Sequence, residues 1–162
     1  LTIQDVHSAL TGSFIKRAYV WLFWFWLHAF FTKKITVISE FTKKELIAVI
    51  PAFKDKIIVI PNPVHPKLKA QVKDFNQVPT ILLMGTKPNK NLQRSLLAIK
   101  DIPCKVVVVG PLSEAQQALI DSVGISYTNN AFLSFEKVSD CYTQADIVCF
   151  PSLYEGFGRP IM

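Results

Sequence analysis

Between Ile35 and Phe150 the chain alternates short apolar runs, rich in β-branched residues, with stretches patterned for helix. The runs are ITVI (35–38), IIVI (57–60), TILLM (80–84), VVVV (106–109), a weaker one at Ile125–Tyr127, and DIVCF (146–150). A strand that is apolar on both sides is buried on both faces, and strands joined through helices run parallel. The pattern therefore predicts an α/β chain whose parallel sheet is flanked by helices. Four helices are expected between the strands. One opens on Thr42 with Glu45 three residues on, one covers Asn91–Lys100 with Asn91 as its cap, one opens on the box Ser113-Glu-Ala-Gln116, and one covers Phe135–Gln144.

Pro61-Asn62-Pro63 breaks this order, and residues 65–79 are polar, lysine-rich and flanked by prolines. They read as a linker between a first domain over 1–64 and a second over 80–162. Half of the residues are hydrophobic and 12% aromatic, which excludes a disordered chain. The three cysteines, Cys104, Cys141 and Cys149, are odd in number and have no CxxC spacing, so reduced thiols are expected rather than a disulfide scaffold. His7, His28 and His65 lie far apart, and no metal-ligand spacing occurs.

Charge is placed unevenly. Residues 1–75 hold eleven Lys and Arg against five Asp and Glu, whereas 76–162 hold seven of each, so the whole net charge of +6 lies in the first half. Such a half suits an anionic partner or a plain solvated face. It also contains AYVWLFWFWLHAFF (18–31), with Lys16-Arg17 before it and Lys33-Lys34 after it. A spanning helix needs about 20 apolar residues, so this run is short for one. Being apolar all round, it fits a helix buried by a neighbour. Its tryptophans and basic flanks also fit a helix lying at a lipid interface, which makes residues 14–34 a candidate contact with an anionic membrane. Nucleic acid is not expected, because base-stacking platforms place aromatics singly among basic residues.

Ligands of open parallel sheets bind beyond the carboxyl ends of the strands. The loops there are Gly85–Asn91, Gly110–Ser113, Thr128–Ser134 and Pro151–Arg159. In PSLYEGFGRP, Gly156 and Gly158 allow close backbone approach, Pro160 suits the first position of a helix, and Glu155 can accept hydrogen bonds from sugar hydroxyls. In GTKPNKNL, Gly85 allows the turn while Lys87 and Lys90 bring cations fit for a diphosphate. There is neither a GxGxxG nor a GxxxxGK[ST] pattern, and no DxD pair to hold a metal.

These residues resemble the retaining glycosyltransferases of family 4, which have the GT-B fold with Rossmann-like domains. PSLYEGFGRPIM resembles their PS-x-x-EGFG-x-P loop, and GTKPNKNL their phosphate-binding turn. ADIVCFPS (145–152) resembles their penultimate strand. VISEFTKKEL and VIPNPV resemble the end of the amino-terminal domain and the crossover from it, and LTIQDV resembles a strand end that usually reads T-x-HD. The resemblance implies a hexose moved from a nucleotide diphosphate sugar to a polysaccharide or lipid-linked acceptor, with retention, without metal or other cofactor, in the cytoplasm or at the inner membrane face.

It also implies roles. Glu155 contacts the transferred sugar, with Asp5 as a further catalytic candidate. The backbone of Gly156, Phe157 and Gly158 holds sugar and distal phosphate, and Lys90 neutralises the diphosphate leaving group. Gly85, Thr86, Lys87, Asn91 and Ser152 complete the donor site, and Asn130 lies near the base. Three departures stand out: Gln4 replaces the motif's His, Thr86 replaces a basic residue, and the family's second Glu would fall past Met162. The resemblance thus implies a fragment, the tail of an acceptor domain and most of a nucleotide-sugar domain. The alternative reading is a degenerate module that binds a nucleotide sugar or a partner without transfer.

Overall fold

The structure is a computed structural model that describes residues 1–64, 74, 77–158 and 160. Most of the segment read as a linker, and the helix expected to open at Pro160, lie outside the described residues. The chain divides into two compact units, Leu1–Val64 with Glu155–Arg159, and His65–Tyr154 with Pro160–Met162.

The first unit holds a parallel sheet of β1 (Thr2–Ile3), β2 (Ile35–Val37) and β3 (Ile57–Val59), in that order. Between β1 and β2 come α1 (His7–Leu10), α2 (Phe14–Val20), a π-helical stretch (Trp21–Trp26) and α3 (Leu27–Phe31). Helix α4 (Glu40–Val49) and a 3-10 stretch (Pro51–Lys56) join β2 to β3. Ile35, Val37 and Leu46 are fully buried, with Phe25, Ala29, Ile50 and Ile57 around them.

Two expectations are corrected here. Helix α4 starts before Thr42. Ser39 has an extended backbone, and its side chain accepts the amide of Thr42, so Ser39 is the cap and Thr42 lies inside the first turn, fully buried. The aromatic run is helical but is not a buried helix. Only Phe25 and Ala29 between 14 and 31 are buried, because a helix on a sheet can hide one stripe alone.

The second unit is a parallel sheet of β4 (Thr80–Met84), β5 (Lys105–Val109), β6 (Tyr127–Asn130) and β7 (Ile147–Cys149). A 3-10 turn (Pro88–Lys90) and α5 (Leu92–Ile99) follow β4. Helix α6 (Glu114–Val123) follows β5, and α7 (Phe135–Gln144) follows β6. Ile81, Leu83, Val106 and Val108 share a core with Leu92, Leu96, Ile99 and Ile120, so α5 and α6 cover one face. Leu82 points the other way and is also fully buried. The right-handed rule for crossovers puts α7 over that second face.

The expected box at Ser113 forms in full. The Gln116 amide donates to Ser113 Oγ, and the Ser113 amide to Gln116 Oε1. Asn91 does not act as a side-chain cap; its backbone is left-handed, at φ 58°. Strand β6 lies later than the apolar run at Ile125–Tyr127, since pairing with β5 runs from Tyr127 to Asn130. It is one of the two outer strands of the described sheet, and polar YTNN suits an edge that meets water.

Candidate active site at the strand ends

The strand order of the second sheet is β6-β5-β4-β7, so successive strands step one way from β4 and the last returns to its other side. The carboxyl ends of β4 and β7 flank this reversal, where a crevice for a ligand opens in sheets of this type. The turns leaving these two strands are GTKPNKN and FPSLY.

Gly85 begins the first turn at φ +88°, its amide held by the Val109 carbonyl at 2.8 Å. A Cβ on Gly85 would meet Lys90 Cγ at 3.0 Å and Cε at 3.3 Å, so the Lys90 stem lies across the glycine. The Lys90 ammonium then sits 4.5 Å from the centre of the Phe150 ring, just after β7, in cation–π range. Asn89 ties the same two turns together. Its carbonyl accepts the Leu153 amide at 2.8 Å, and its Nδ2 donates to the Tyr154 carbonyl at 3.4 Å. Sequence reasoning passes over Asn89, although it stands inside the motif next to Lys90.

The remaining candidates of this unit occupy distinct positions. The Thr86 hydroxyl donates to the Pro111 carbonyl at 2.5 Å, and its own carbonyl accepts Gln116 Nε2 at 2.7 Å. Its side chain thus locks the turns after β4 and β5 together. Lys87 is exposed, and Asn91 is half-buried with its carbonyl taking the Ser95 hydroxyl at 2.9 Å. Ser152 Oγ is buried and has no hydrogen-bond partner among the described residues, in contrast to most buried polar groups. Asn130 ends β6, where its carbonyl accepts the Gly110 amide.

The other candidates belong to the first unit. There the EGFG segment is held by backbone and hydroxyl groups at the ends of β1 and β2. The Gly156 carbonyl accepts Ser39 Oγ at 2.5 Å and Thr42 Oγ1 at 3.0 Å, which fills both of its lone pairs. A Cβ on Gly156 would stand 2.1 Å from the Gln4 carbonyl oxygen. The close approach that this glycine permits is therefore to Gln4, a role its sequence context does not reveal. Gly158 is buried at φ +78°, while Glu155 and Phe157 are half-buried. Asp5 is exposed and accepts the His7 amide at the start of α1.

Burial raises the thiol pKa of Cys104, Cys141 and Cys149, and Asp140 adds to the effect at Cys141. A raised pKa means less thiolate near neutral pH, so none of the three is an activated nucleophile. Alkylation by iodoacetamide is expected to be slower than that of glutathione near neutral pH and to accelerate as pH rises. Mass spectrometry of the folded protein checks this. Among the described residues, no group of His, Cys, Asp and Glu is placed to hold a metal ion. No helix is long and apolar enough to cross a membrane, again among the described residues.

Comparison with known proteins gives a structural likeness and a family. The chain is similar to the crystal structure of Acinetobacter baumannii MurG at 18% identity and a TM-score of 0.33, over 71% of this chain and 39% of that one. It therefore spans well under half of that protein's length. No curated protein matches. The family described as glycosyl transferases group 1 matches residues 65–162, which include the whole second sheet and both turns at its reversal point. That match takes in more than half of the chain, and the chain belongs to the group 1 glycosyl transferases.

Proposed function

We propose that this chain is part of a retaining family 4 glycosyltransferase that moves a hexose from a nucleotide diphosphate sugar to a polysaccharide or lipid-linked acceptor. The reading rests above all on one observation: at the reversal between β4 and β7, an ammonium is fixed by its own turn and by the Phe150 ring. A cation held in advance where a diphosphate departs stabilises the developing charge. In this reading Lys90 takes the role that other transferases give to a metal. Gly85, Thr86, Lys87, Asn91 and Ser152 surround the diphosphate, and Asn130 lies toward the base. Glu155 meets the sugar hydroxyls beside the Gly156, Phe157 and Gly158 backbone, and Asp5 is a further catalytic candidate. The reaction belongs in the cytoplasm, where nucleotide sugars are made.

Saturation-transfer NMR against a panel of nucleoside diphosphate hexoses tests the reading. Signals on the anomeric and ribose protons of one donor are expected, with inorganic pyrophosphate as a competitor. The sugar released or transferred should keep the donor's anomeric configuration. Saturation transfer to none of the donors would refute it. Gln4, standing where the motif carries His, favours a second reading as a binding module without transfer. That reading expects donor binding with no turnover under any acceptor.

A further inference from the structure

We propose that residues 14–34 seat the first unit flat on an anionic lipid surface. The segment is helical from Phe14 to Phe31 and buries only Phe25 and Ala29. Large apolar side chains elsewhere on it face outward, with Phe14 83%, Ile15 81%, Trp24 64% and Phe31 76% exposed. Aromatic rings along the segment pack on one another as a belt, with ring centres 4.8 Å apart for Tyr19 and Phe23, 5.5 Å for Trp26 and Phe30, and 5.2 Å for Phe30 and Phe31.

Side-chain hydrogen bonds anchor the belt to the rest of its unit. Trp21 Nε1 donates to the Val49 carbonyl at 2.7 Å, and Lys56 Nζ to the Ala29 carbonyl at 2.9 Å. These bonds tie the segment to its unit while Phe14, Ile15, Trp24 and Phe31 stay exposed.

Charge selects the occupant. Lys16, Arg17, Lys33 and Lys34 are all exposed at the two ends of the belt, and no Asp or Glu occurs from Val6 to Ser39. Aromatic side chains with basic flanks match the boundary between acyl chains and anionic headgroups. A second copy docked through the same face would bring these cations together. Among the described residues, no helix is long and apolar enough to cross a membrane. This surface is independent of the donor turns, so vesicle binding and nucleotide-sugar binding succeed or fail separately.

Co-sedimentation with vesicles tests the proposal, using phosphatidylcholine alone or with about one third phosphatidylglycerol. Partition onto the anionic vesicles is expected to be at least about tenfold stronger, to fall with added salt, and to shift tryptophan fluorescence to the blue. The double variant Trp24→Glu/Phe31→Glu changes only exposed positions, and circular dichroism checks that it is folded. It should lose the binding, while Lys33→Ser/Lys34→Ser should lose the preference for anionic lipid. Equal binding by the wild type and the Glu variant would overturn the proposal. So would a self-association that the Glu variant abolishes without any vesicle binding, which would assign the face to a second copy.

Discussion

Gly156→Ala should destabilise the first unit by about 3 kcal/mol or more, a large value for one added methyl group. The new Cβ would stand 2.1 Å from the Gln4 carbonyl oxygen. No flexible side-chain end can move aside there, because the obstacle is backbone next to β1. The EGFG segment must therefore shift, and the shift breaks the bonds from Ser39 and Thr42 to the Gly156 carbonyl. Thr42 is fully buried, so its hydroxyl would lose its better acceptor where water cannot replace it, a loss of about 1–3 kcal/mol. All three tryptophans lie in the first unit, so urea unfolding followed by tryptophan fluorescence reads that unit directly. Gly124→Ala is the control. Its Cβ would meet nothing within 4 Å, and only the positive φ of 66° opposes it, which costs about 1–2 kcal/mol. Equal effects at the two glycines would show that the approach to Gln4 is not what fixes Gly156.

The fold is legible in the sequence wherever burial on both faces writes a continuous apolar run. TILLM forms β4 residue for residue, and Phe135–Gln144 forms α7, because in each case local pattern and tertiary packing agree. Local pattern misleads where neighbours in space decide. Strand β6 is polar and lies at an edge, so the apolar approach at Ile125 stands out more than the strand itself. Thr42 satisfies the local capping pattern, but Ser39 takes the cap and frees the Thr42 hydroxyl for a residue 114 positions on. The aromatic run does not encode its own environment, since burial depends on what packs against it.

The candidate site is legible in part for the same reason. Gly85 and Lys90 announce themselves by residue type within one turn, and the structure joins them through the lysine stem. Asn89 acts through its carbonyl on the Leu153 amide and its side chain on the Tyr154 carbonyl, pairings that no local pattern encodes. Gly156 is readable as a place of close approach, but not as one facing Gln4.

The effect on catalysis should be largest at Lys90, if that ammonium stabilises a departing diphosphate. Lys90→Met keeps an unbranched apolar stem to lie across Gly85 and removes the charge over Phe150. The fold should hold, because removing the cation–π interaction costs about 1–2 kcal/mol at a half-buried site. Turnover should fall about 10²–10³-fold, the usual result of deleting one fixed group that meets charge in the transition state. Calorimetry separates this role from mere structure: the variant should bind the nucleoside diphosphate more weakly and the uncharged nucleoside as the wild type does. Gly85→Ala approaches the same point from the other side. Its Cβ would press on Lys90 Cγ at 3.0 Å in a left-handed backbone, displacing the stem while leaving the charge in the molecule. If position as well as charge matters, Gly85→Ala should lose turnover too. Unchanged diphosphate affinity in Lys90→Met would remove the lysine from the leaving-group site, whatever family the chain belongs to.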